Sequence, residues 1–263
     1  MLFRSDWIRH QRCDRVVVIS ADAATSEQLN SFISTGFMCL GAATKAGTIA
    51  DAACPFDTRR KGMVVGAGSV GLVLESGAAV NRRRKGQFRQ SFPAEPARKP
   101  QEKQINWVAD PAWRPRSELL MSHIGNSGYH ASLIHMAHIQ QDMKVFFKRI
   151  HQTYGSRFAQ EWSSATTTNY PTCPAMPFDE FLHDMSSKLI YYSHETGTAS
   201  CAKVEINALK HTFPESNYNN VIVCNTKGFT GHPMSVNIED VMAVASLHHG
   251  LVPPIANSQT IDP

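Results

Sequence analysis

The stretch Val221-Ile-Val-Cys-Asn-Thr-Lys-Gly-Phe-Thr-Gly-His-Pro233 decides the fold. Its first four residues are apolar and mostly β-branched, a pattern typical of a strand that is buried on both faces. A turn with two glycines follows, and the apolar positions of residues 238–245 then predict a helix. A buried strand that leads through a turn into a helix is a building unit of α/β proteins.

The same pattern occurs earlier in the chain. Residues 188–192 predict a strand, Ser193-His-Glu-Thr-Gly-Thr198 forms a turn, and the apolar spacing of residues 206–213 predicts a helix. The remaining predicted elements are a buried strand at 14–20, a short helix with capping-box spacing at 25–32, a glycine-rich core strand at 61–75 and an amphipathic helix at 139–150. We therefore expect an α/β layered fold with a largely parallel or mixed sheet.

Composition and charge exclude several classes of protein. The chain has 263 residues, 42% of them hydrophobic, which suffices for a packed core and argues against disorder. Its formal net charge of +4 is too small to make nucleic acid the expected partner. The longest apolar runs are strand-sized, well short of the ~20 residues that cross a bilayer, so we expect no membrane span. Six cysteines without CxxC pairs or metal-ligand spacing indicate reduced thiols and a cytoplasmic location.

Positive charge is concentrated in one segment. Residues 82–103 hold eight basic side chains against two acidic ones. The surrounding residues 81–117 contain five prolines and lack hydrophobic periodicity, which favours an exposed loop or insertion. A phosphate- or partner-binding patch is the alternative. A nucleic-acid-binding module is disfavoured, because only Phe88 and Phe92 interleave the charges.

Two histidines occupy equivalent places, each in a turn between a predicted strand and a predicted helix. His194 lies in the first turn, and His232 lies in the second turn together with Lys227. The carboxyl ends of strands in an α/β sheet are where ligands bind. We therefore expect both imidazoles and Lys227 to reach one pocket. Each histidine taken alone is also consistent with a structural role in its turn.

These motifs resemble those of the β-ketoacyl synthases, or ketosynthases. In that family a TK-x-x-x-GH motif is followed by a helix and then by a VPP-x-x-N loop. Residues 225–232 and 251–257 of this chain contain these two motifs in the same order. Ser193–Thr198 is similar to the family's HGTGT motif, with Glu195 in place of the first glycine. Other similar blocks follow the family's order: PFD and a glycine-rich segment ending in LVLE at 54–75, an SSDAYH-like segment at 126–130, and a helical glutamate at Glu205.

The resemblance implies an incomplete thiolase-like layered αβα fold. Residues 14–52 would be the end of the N-terminal half, and residues 53–263 the C-terminal half with a basic, proline-rich insertion at about 81–117. The implied activity is that of an acyltransferase, which joins carrier-bound acyl and malonyl groups by decarboxylative Claisen condensation in fatty-acid or polyketide biosynthesis. The implied partners are an acyl carrier protein and either a second copy of the chain or a ketosynthase N-terminal half. No cofactor or metal is implied.

The resemblance also implies roles for individual residues. His194 and His232 correspond to the family's catalytic histidine pair, and Lys227 corresponds to the lysine that orders the site. The supporting residues would be Thr196, Thr198, Glu205, Gly231 and Glu195. Because a carboxylate would stand beside an imidazole, Glu195 is expected to raise the pKa of His194.

The family's nucleophilic cysteine has no counterpart in this sequence. None of the six cysteines lies in the D-[ST]-A-C-S-S context, and Cys54 is expected to be a packed thiol. We therefore expect the chain by itself to be inactive, as a fragment of a synthase. A non-catalytic, ketosynthase-like partner subunit is the alternative.

Overall fold

Helices and strands alternate along most of the chain in the computed structural model, which describes residues 2–84, 117–125, 135–163, 177–186, 189–199, 201–234 and 236–261. Their order is α1 (Leu2–Arg9), β1 (Arg15–Asp22), α2 (Glu27–Cys39), β2 (Gly68–Glu75), α3 (Gly77–Arg84), α4 (Met136–Ser163), α5 (Phe178–Ser186), β3 (Ile190–Tyr192), α6 (Cys201–Thr212), β4 (Ile222–Cys224), α7 (Lys227–Thr230) and α8 (Ile238–His249).

The chain divides into two units. One consists of Met1–Ile19 and Gly71–Glu118, and the other of Ser20–Val70 and Leu119–Pro263. Every predicted site residue belongs to the second unit.

The second unit contains a parallel strand pair with helices on both faces. Residue Ile190 of β3 lies opposite Ile222 of β4, and α6 provides the crossover between the two strands. Successive strand residues point to opposite faces. Tyr191 packs against the apolar core, whereas the Tyr192 hydroxyl lies 2.6 Å from Ser246 Oγ in α8. This arrangement is the αβα layering that the sequence predicts.

The core of the second unit lies where α4, α5 and α6 meet. Its buried members are Phe147, Ile150, Phe181, Leu182, Leu209 and Phe213. The predicted amphipathic helix is confirmed and is longer than expected, while α5 was not predicted. None of the described helices, not even the 28-residue α4, is long and apolar enough to cross a membrane.

The first predicted strand differs from its expected environment. β1 pairs with β2 in a two-stranded sheet, and Val16 is buried. However, Val17 and Ile19 are 57% and 75% exposed, so the prediction of burial on both faces is wrong for the described part of the chain. Apolar alternation leads to burial only where a second layer covers that face.

The predicted core strand at 61–75 is also shorter than expected. β2 begins at Gly68, and the residues before it form isolated bridges, in which Met63 pairs with Ala43 and Val65 with His232. The predicted helix at 25–32 instead starts at Glu27 and runs to Cys39, and its N-cap Ser26 makes no side-chain capping bond.

The start of the predicted basic insertion is helical. Residues 81–84 belong to α3, where Arg82 pairs with Asp14 and Arg83 lies 2.7 Å from Glu75. Glu75 also pairs with Arg15. Arg82 and Arg83 are therefore held by carboxylates within the first unit. The rest of the insertion, 85–116, and the segment 126–130 lie outside the described residues.

Candidate active site

The turns after β3 and β4 lie side by side because those strands are parallel neighbours. Asn225, the residue after β4, is fully buried and joins the two turns. Its Nδ2 donates to the carbonyl oxygens of Ser193 (3.3 Å) and Glu195 (2.8 Å), and its Oδ1 accepts from Lys227 N (2.8 Å). Sequence analysis gave Asn225 no role of its own. The only signal was its position as the first polar residue after a buried strand.

The two turns bring the predicted histidines together. The ring centroids of His194 and His232 are 5.2 Å apart, and the rings meet edge to face at 86°. His194 is exposed and His232 is half-buried. The two imidazoles therefore lie together, whereas their catalytic role stays a prediction.

Both histidines favour the neutral form at pH 7. Loss of solvation, then the charge of Lys227, lowers the pKa of His194 below its ordinary value, against a weaker effect of Glu239. Loss of solvation, then His194 and Lys227, lowers the pKa of His232 to about 4. A neutral imidazole keeps one N–H donor and one free nitrogen, so the pair can offer hydrogen bonds to a developing oxyanion.

Lys227 is buried beside the pair and has a carboxylate partner. Its side chain is 4% exposed, and its Nζ forms an ion pair with Glu239 in the first turn of α8. The pairing satisfies a buried ammonium group that would otherwise be costly. Sequence analysis missed Glu239. The available signal was an acidic residue in the first turn of the helix after His232. An acidic residue at that position is also expected without any lysine partner, because it interacts favourably with the helix dipole.

Glu205 anchors the first turn from α6. Its Oε2 accepts hydrogen bonds from Ser193 Oγ (2.6 Å), His194 N (3.1 Å) and Tyr191 OH (3.3 Å). Burial raises the pKa of Glu205, and these donors oppose the rise. The side chain therefore fixes the backbone on which His194 stands, in line with its predicted supporting place.

The predicted effect of Glu195 on His194 is wrong. Glu195 is fully buried, and its Oε1 accepts from Gly197 N at 2.9 Å. Burial raises the pKa of Glu195 to about 7, so its carboxyl group is only partly ionised near pH 7 and stabilises an imidazolium less than a full carboxylate would. The pKa of His194 is lowered, because loss of solvation and Lys227 act on it more strongly.

Glycines allow the backbone contacts that hold His232. Gly231 has φ of +65°, and His232 N donates to Val64 O at 2.7 Å. A Cβ on Gly66 would lie 2.1 Å from Thr230 O, so this close approach requires glycine.

The predicted supporting threonines lie at the end of the first turn. Thr196 Oγ1 donates to Thr198 Oγ1 at 3.3 Å, and Thr198 O accepts from Arg60 Nε at 3.3 Å. Gly62 N donates to Gly197 O at 3.0 Å. The turn is therefore fixed by the PFD-containing segment of the sequence.

Comparisons with known proteins agree with this geometry. Residues 188–259 match the family model described as β-ketoacyl synthase, C-terminal domain. These residues are therefore similar to the C-terminal domain of β-ketoacyl synthases. They hold both histidines, Lys227 and the two strands that position them. Among curated protein sequences, none matches the chain.

Solved ketosynthase structures share the fold. A type II polyketide synthase acyl carrier protein in complex with its ketosynthase matches with TM-score 0.63 and 21% identity, over 99% of this chain and 50% of that chain. A β-ketoacyl synthase from Burkholderia phymatum matches with TM-score 0.62 and 16% identity, over 99% and 48%. The ishigamide ketosynthase/chain length factor matches with TM-score 0.59 and 20% identity, over 99% and 47%.

These matches show that the thiolase-like fold expected from the sequence is present. The chain spans about half the length of the three solved ketosynthases, with 47–50% of each covered.

The three buried cysteines in the described part of the chain are unsuited to nucleophilic attack. Burial raises the pKa of Cys54 and Cys224, and it raises the pKa of Cys201 to about 12. Cys201 lies next to the histidine turn, yet its Sγ is 3.8 Å from Glu205 Oε1, so a thiolate there would meet like charge. Cys54 is the packed thiol that the sequence predicts.

Proposed function

We propose that this chain supplies the histidine part of a β-ketoacyl synthase active site. The complete site would catalyse decarboxylative Claisen condensation of carrier-bound acyl and malonyl groups, an acyltransferase reaction of fatty-acid or polyketide biosynthesis. The observation that carries the proposal is the edge-to-face pair of His194 and His232 beside a buried lysine. The family match over residues 188–259 supports the same reaction class.

In the proposed reaction the histidine pair stabilises negative charge on a thioester oxygen. Loss of CO₂ from the malonyl group leaves the electrons of the broken C–C bond in an enolate, whose oxygen accepts hydrogen bonds from the neutral imidazoles. The enolate carbon then attacks the acyl thioester, and collapse of the tetrahedral intermediate releases the cysteine thiolate. Fixed donors aimed at these oxygens lower the barrier.

Lys227 would act through the histidines. Its positive charge lowers the pKa of both imidazoles, and the ion pair with Glu239 holds the ammonium group in place. Thr196, Thr198, Gly231 and Glu205 would support the backbone that presents the rings. We assign all of these residues positioning roles.

The nucleophilic thiolate would come from a ketosynthase N-terminal half, in the same or a partner polypeptide. An acyl carrier protein would deliver both acyl groups, and we expect the reaction in the cytoplasm. A carrier protein in complex with its ketosynthase, and a paired ketosynthase and chain length factor, are among the structures with the same fold.

A non-catalytic, ketosynthase-like partner subunit is the second candidate. The observation that favours it is the raised pKa of each of the three buried cysteines in the described part of the chain. Such a subunit would shape the acyl pocket of a catalytic partner. It would leave the rate of malonyl decarboxylation unchanged when its histidines are replaced.

The test combines the chain with a nucleophile-bearing ketosynthase half and measures CO₂ release separately from acyl loading. We expect His194→Ala or His232→Ala to slow CO₂ release by about 10²–10³ per lost donor, with acyl loading unchanged. The matched control is His211→Ala, an exposed histidine at the end of α6. Parental CO₂ release in both variants would refute the catalytic assignment and leave the partner-subunit alternative.

The pH dependence of the same assay provides a second test. Because the pKa of His232 is about 4 and that of His194 is lowered, the neutral pair should persist below pH 6.5. We expect a constant rate of CO₂ release as the pH falls from 7 through 6.5, with a decline only in more acidic buffer. A decline centred on the ordinary histidine pKa of about 6.5 would contradict the proposed environment.

A further inference from the structure

Glu195 combines complete burial with incomplete hydrogen bonding. The residue has 0% exposure, and Oε1 accepts one hydrogen bond from Gly197 N at 2.9 Å. Its other oxygen, Oε2, is buried without a hydrogen-bond partner among the described residues. An ionised carboxylate with an unsatisfied buried oxygen is much less stable than the neutral acid in the same place.

The charges that face Glu195 come from two segments. Arg60, on the segment before β2, attracts the carboxylate, but its guanidinium already donates to the carbonyl oxygens of Asp57, Thr198 and Ala199. Glu205 and the Cys201 thiol approach from α6. Burial exceeds the combined stabilisation of an ionised Glu195 by Gly197 N, Arg60 and the Cys201 thiol, and Glu205 repels it, so the pKa of Glu195 rises to about 7.

Glu195 is also built into the backbone that carries His194. Its N–H donates to Ser193 Oγ (2.8 Å), and its carbonyl oxygen accepts from Asn225 Nδ2 (2.8 Å). The Glu195 side chain accepts a hydrogen bond from Gly197 N and so closes the turn. Gly197 has a φ of +88°, which glycine tolerates. A carboxylate that leaves its buried position to gain solvation must therefore break the turn next to His194.

We propose that Glu195 is a positioning residue whose neutral carboxyl group holds the turn that presents His194 to His232, and whose ionisation opens that turn. The consequence for catalysis rests on the proposed function. The structural consequence does not, since it concerns only the distance between two rings.

The test follows the His194 ring by NMR while wild-type protein is titrated from pH 5 to pH 8.5. We expect a chemical-shift change with its midpoint near pH 7, although the pKa of His194 itself is lowered. In Glu195→Gln, a neutral side chain of the same shape, the change near pH 7 should vanish. The matched control is Glu215→Gln, which replaces an exposed acid. This variant should still show the chemical-shift change near pH 7.

Thermal unfolding supplies a second measurement. A carboxyl group whose pKa is raised in the folded state stabilises most below its unfolded pKa of about 4.5, and this stability is lost as pH rises through about 7. Between pH 5 and pH 8 the wild type should therefore lose on the order of 5 °C in Tm relative to Glu195→Gln. Parallel Tm curves, or a wild-type His194 ring without a change near pH 7, would overturn the proposal. If the Gln variant does not fold, the presence or absence of the change near pH 7 in the wild-type His194 titration tests the proposal.

A decarboxylation assay distinguishes the failure of this proposal from the failure of the proposed function. If Glu195 positions a catalytic histidine, the wild-type rate should decline above pH 7 and the Gln variant should keep its rate. The expected NMR and Tm results without CO₂ release would contradict the proposed function alone. CO₂ release with the same alkaline decline in both variants would contradict the role of Glu195 alone.

Discussion

Asp57 joins segments that are 202 residues apart in the sequence. Its side chain is fully buried, and Oδ2 accepts from the backbone amides of Gln259 (2.7 Å) and Thr260 (2.9 Å). Arg59 Nη2 donates to the same oxygen at 2.9 Å. The Arg59 guanidinium and these amides hold the pKa of Asp57 well below its usual range, despite burial. One carboxylate therefore attaches the segment that follows the VPP-x-x-N motif.

We expect Asp57→Asn to lower the free energy of unfolding by about 2–3 kcal/mol, because the buried side chain loses the negative charge that Arg59 and the two backbone amides bind. Urea denaturation would measure this loss. Since the folded pKa of Asp57 is lowered, its contribution is present above pH ~4 and is lost as pH falls further. Asp51→Asn is the control. Its side chain is 35% exposed and also pairs with Arg59, so its loss should cost less than ~1 kcal/mol. Equal losses would contradict this assignment.

At the scale of elements, the two turns depend on close backbone approach. Gly66 lies against α7 and the residue after it, and Gly66 N donates to His232 O at 3.1 Å. Both groups in this contact are backbone atoms, so neither can move aside as a side chain could. The predicted glycine-rich strand is therefore a site of tight neighbours at Gly62 and Gly66, although β2 starts only after them.

We expect Gly66→Ala to destabilise the protein by about 1–3 kcal/mol, because the new Cβ would overlap Thr230 O. It should also separate the His194 and His232 rings, which NMR contacts between them would report. Gly36→Ala in the last turn of α2 is the matched change, with nothing within 4 Å of the new Cβ. That variant should gain up to ~1 kcal/mol from helix propensity. A loss of stability in both variants, measured by urea denaturation, would refute the steric explanation.

At the scale of the whole molecule, the described structure leaves large apolar side chains uncovered. α2 contains no buried residue, and its Phe32 and Met38 are 81% and 61% exposed. Nearby Leu40 is 65% exposed and Ile49 is 94% exposed. Exposed apolar surface of this kind marks an association site.

We expect the isolated chain to self-associate, and Phe32→Ser to shift it toward monomer in sedimentation velocity. The control is Gln28→Ser, which introduces serine one helical turn earlier in place of an exposed polar side chain. This variant should leave the association state unchanged. A monomeric wild type with a sharp, cooperative thermal transition would show that this surface does not drive association.

The sequence by itself determined the site-bearing elements. Strands β3 and β4 and helices α6 and α8 follow from local hydrophobic periodicity, and the two histidine turns follow from motif spacing. These features depend on neighbours within a few residues, so no tertiary information is needed. Their meeting at one place follows from parallel pairing, a rule of α/β topology.

Only the tertiary structure decided the partners and the charge states. Glu239 as the counterion of Lys227 and Asn225 as the link between the turns depend on side-chain packing that no motif specifies. The exposure of Val17 depends on whether another layer covers β1. The sequence placed Glu195 next to His194, but burial raises the pKa of that carboxyl group to about 7, and loss of solvation with Lys227 lowers the pKa of the histidine. Proximity along the chain determines which groups are neighbours, whereas desolvation in three dimensions determines which of them carry charge.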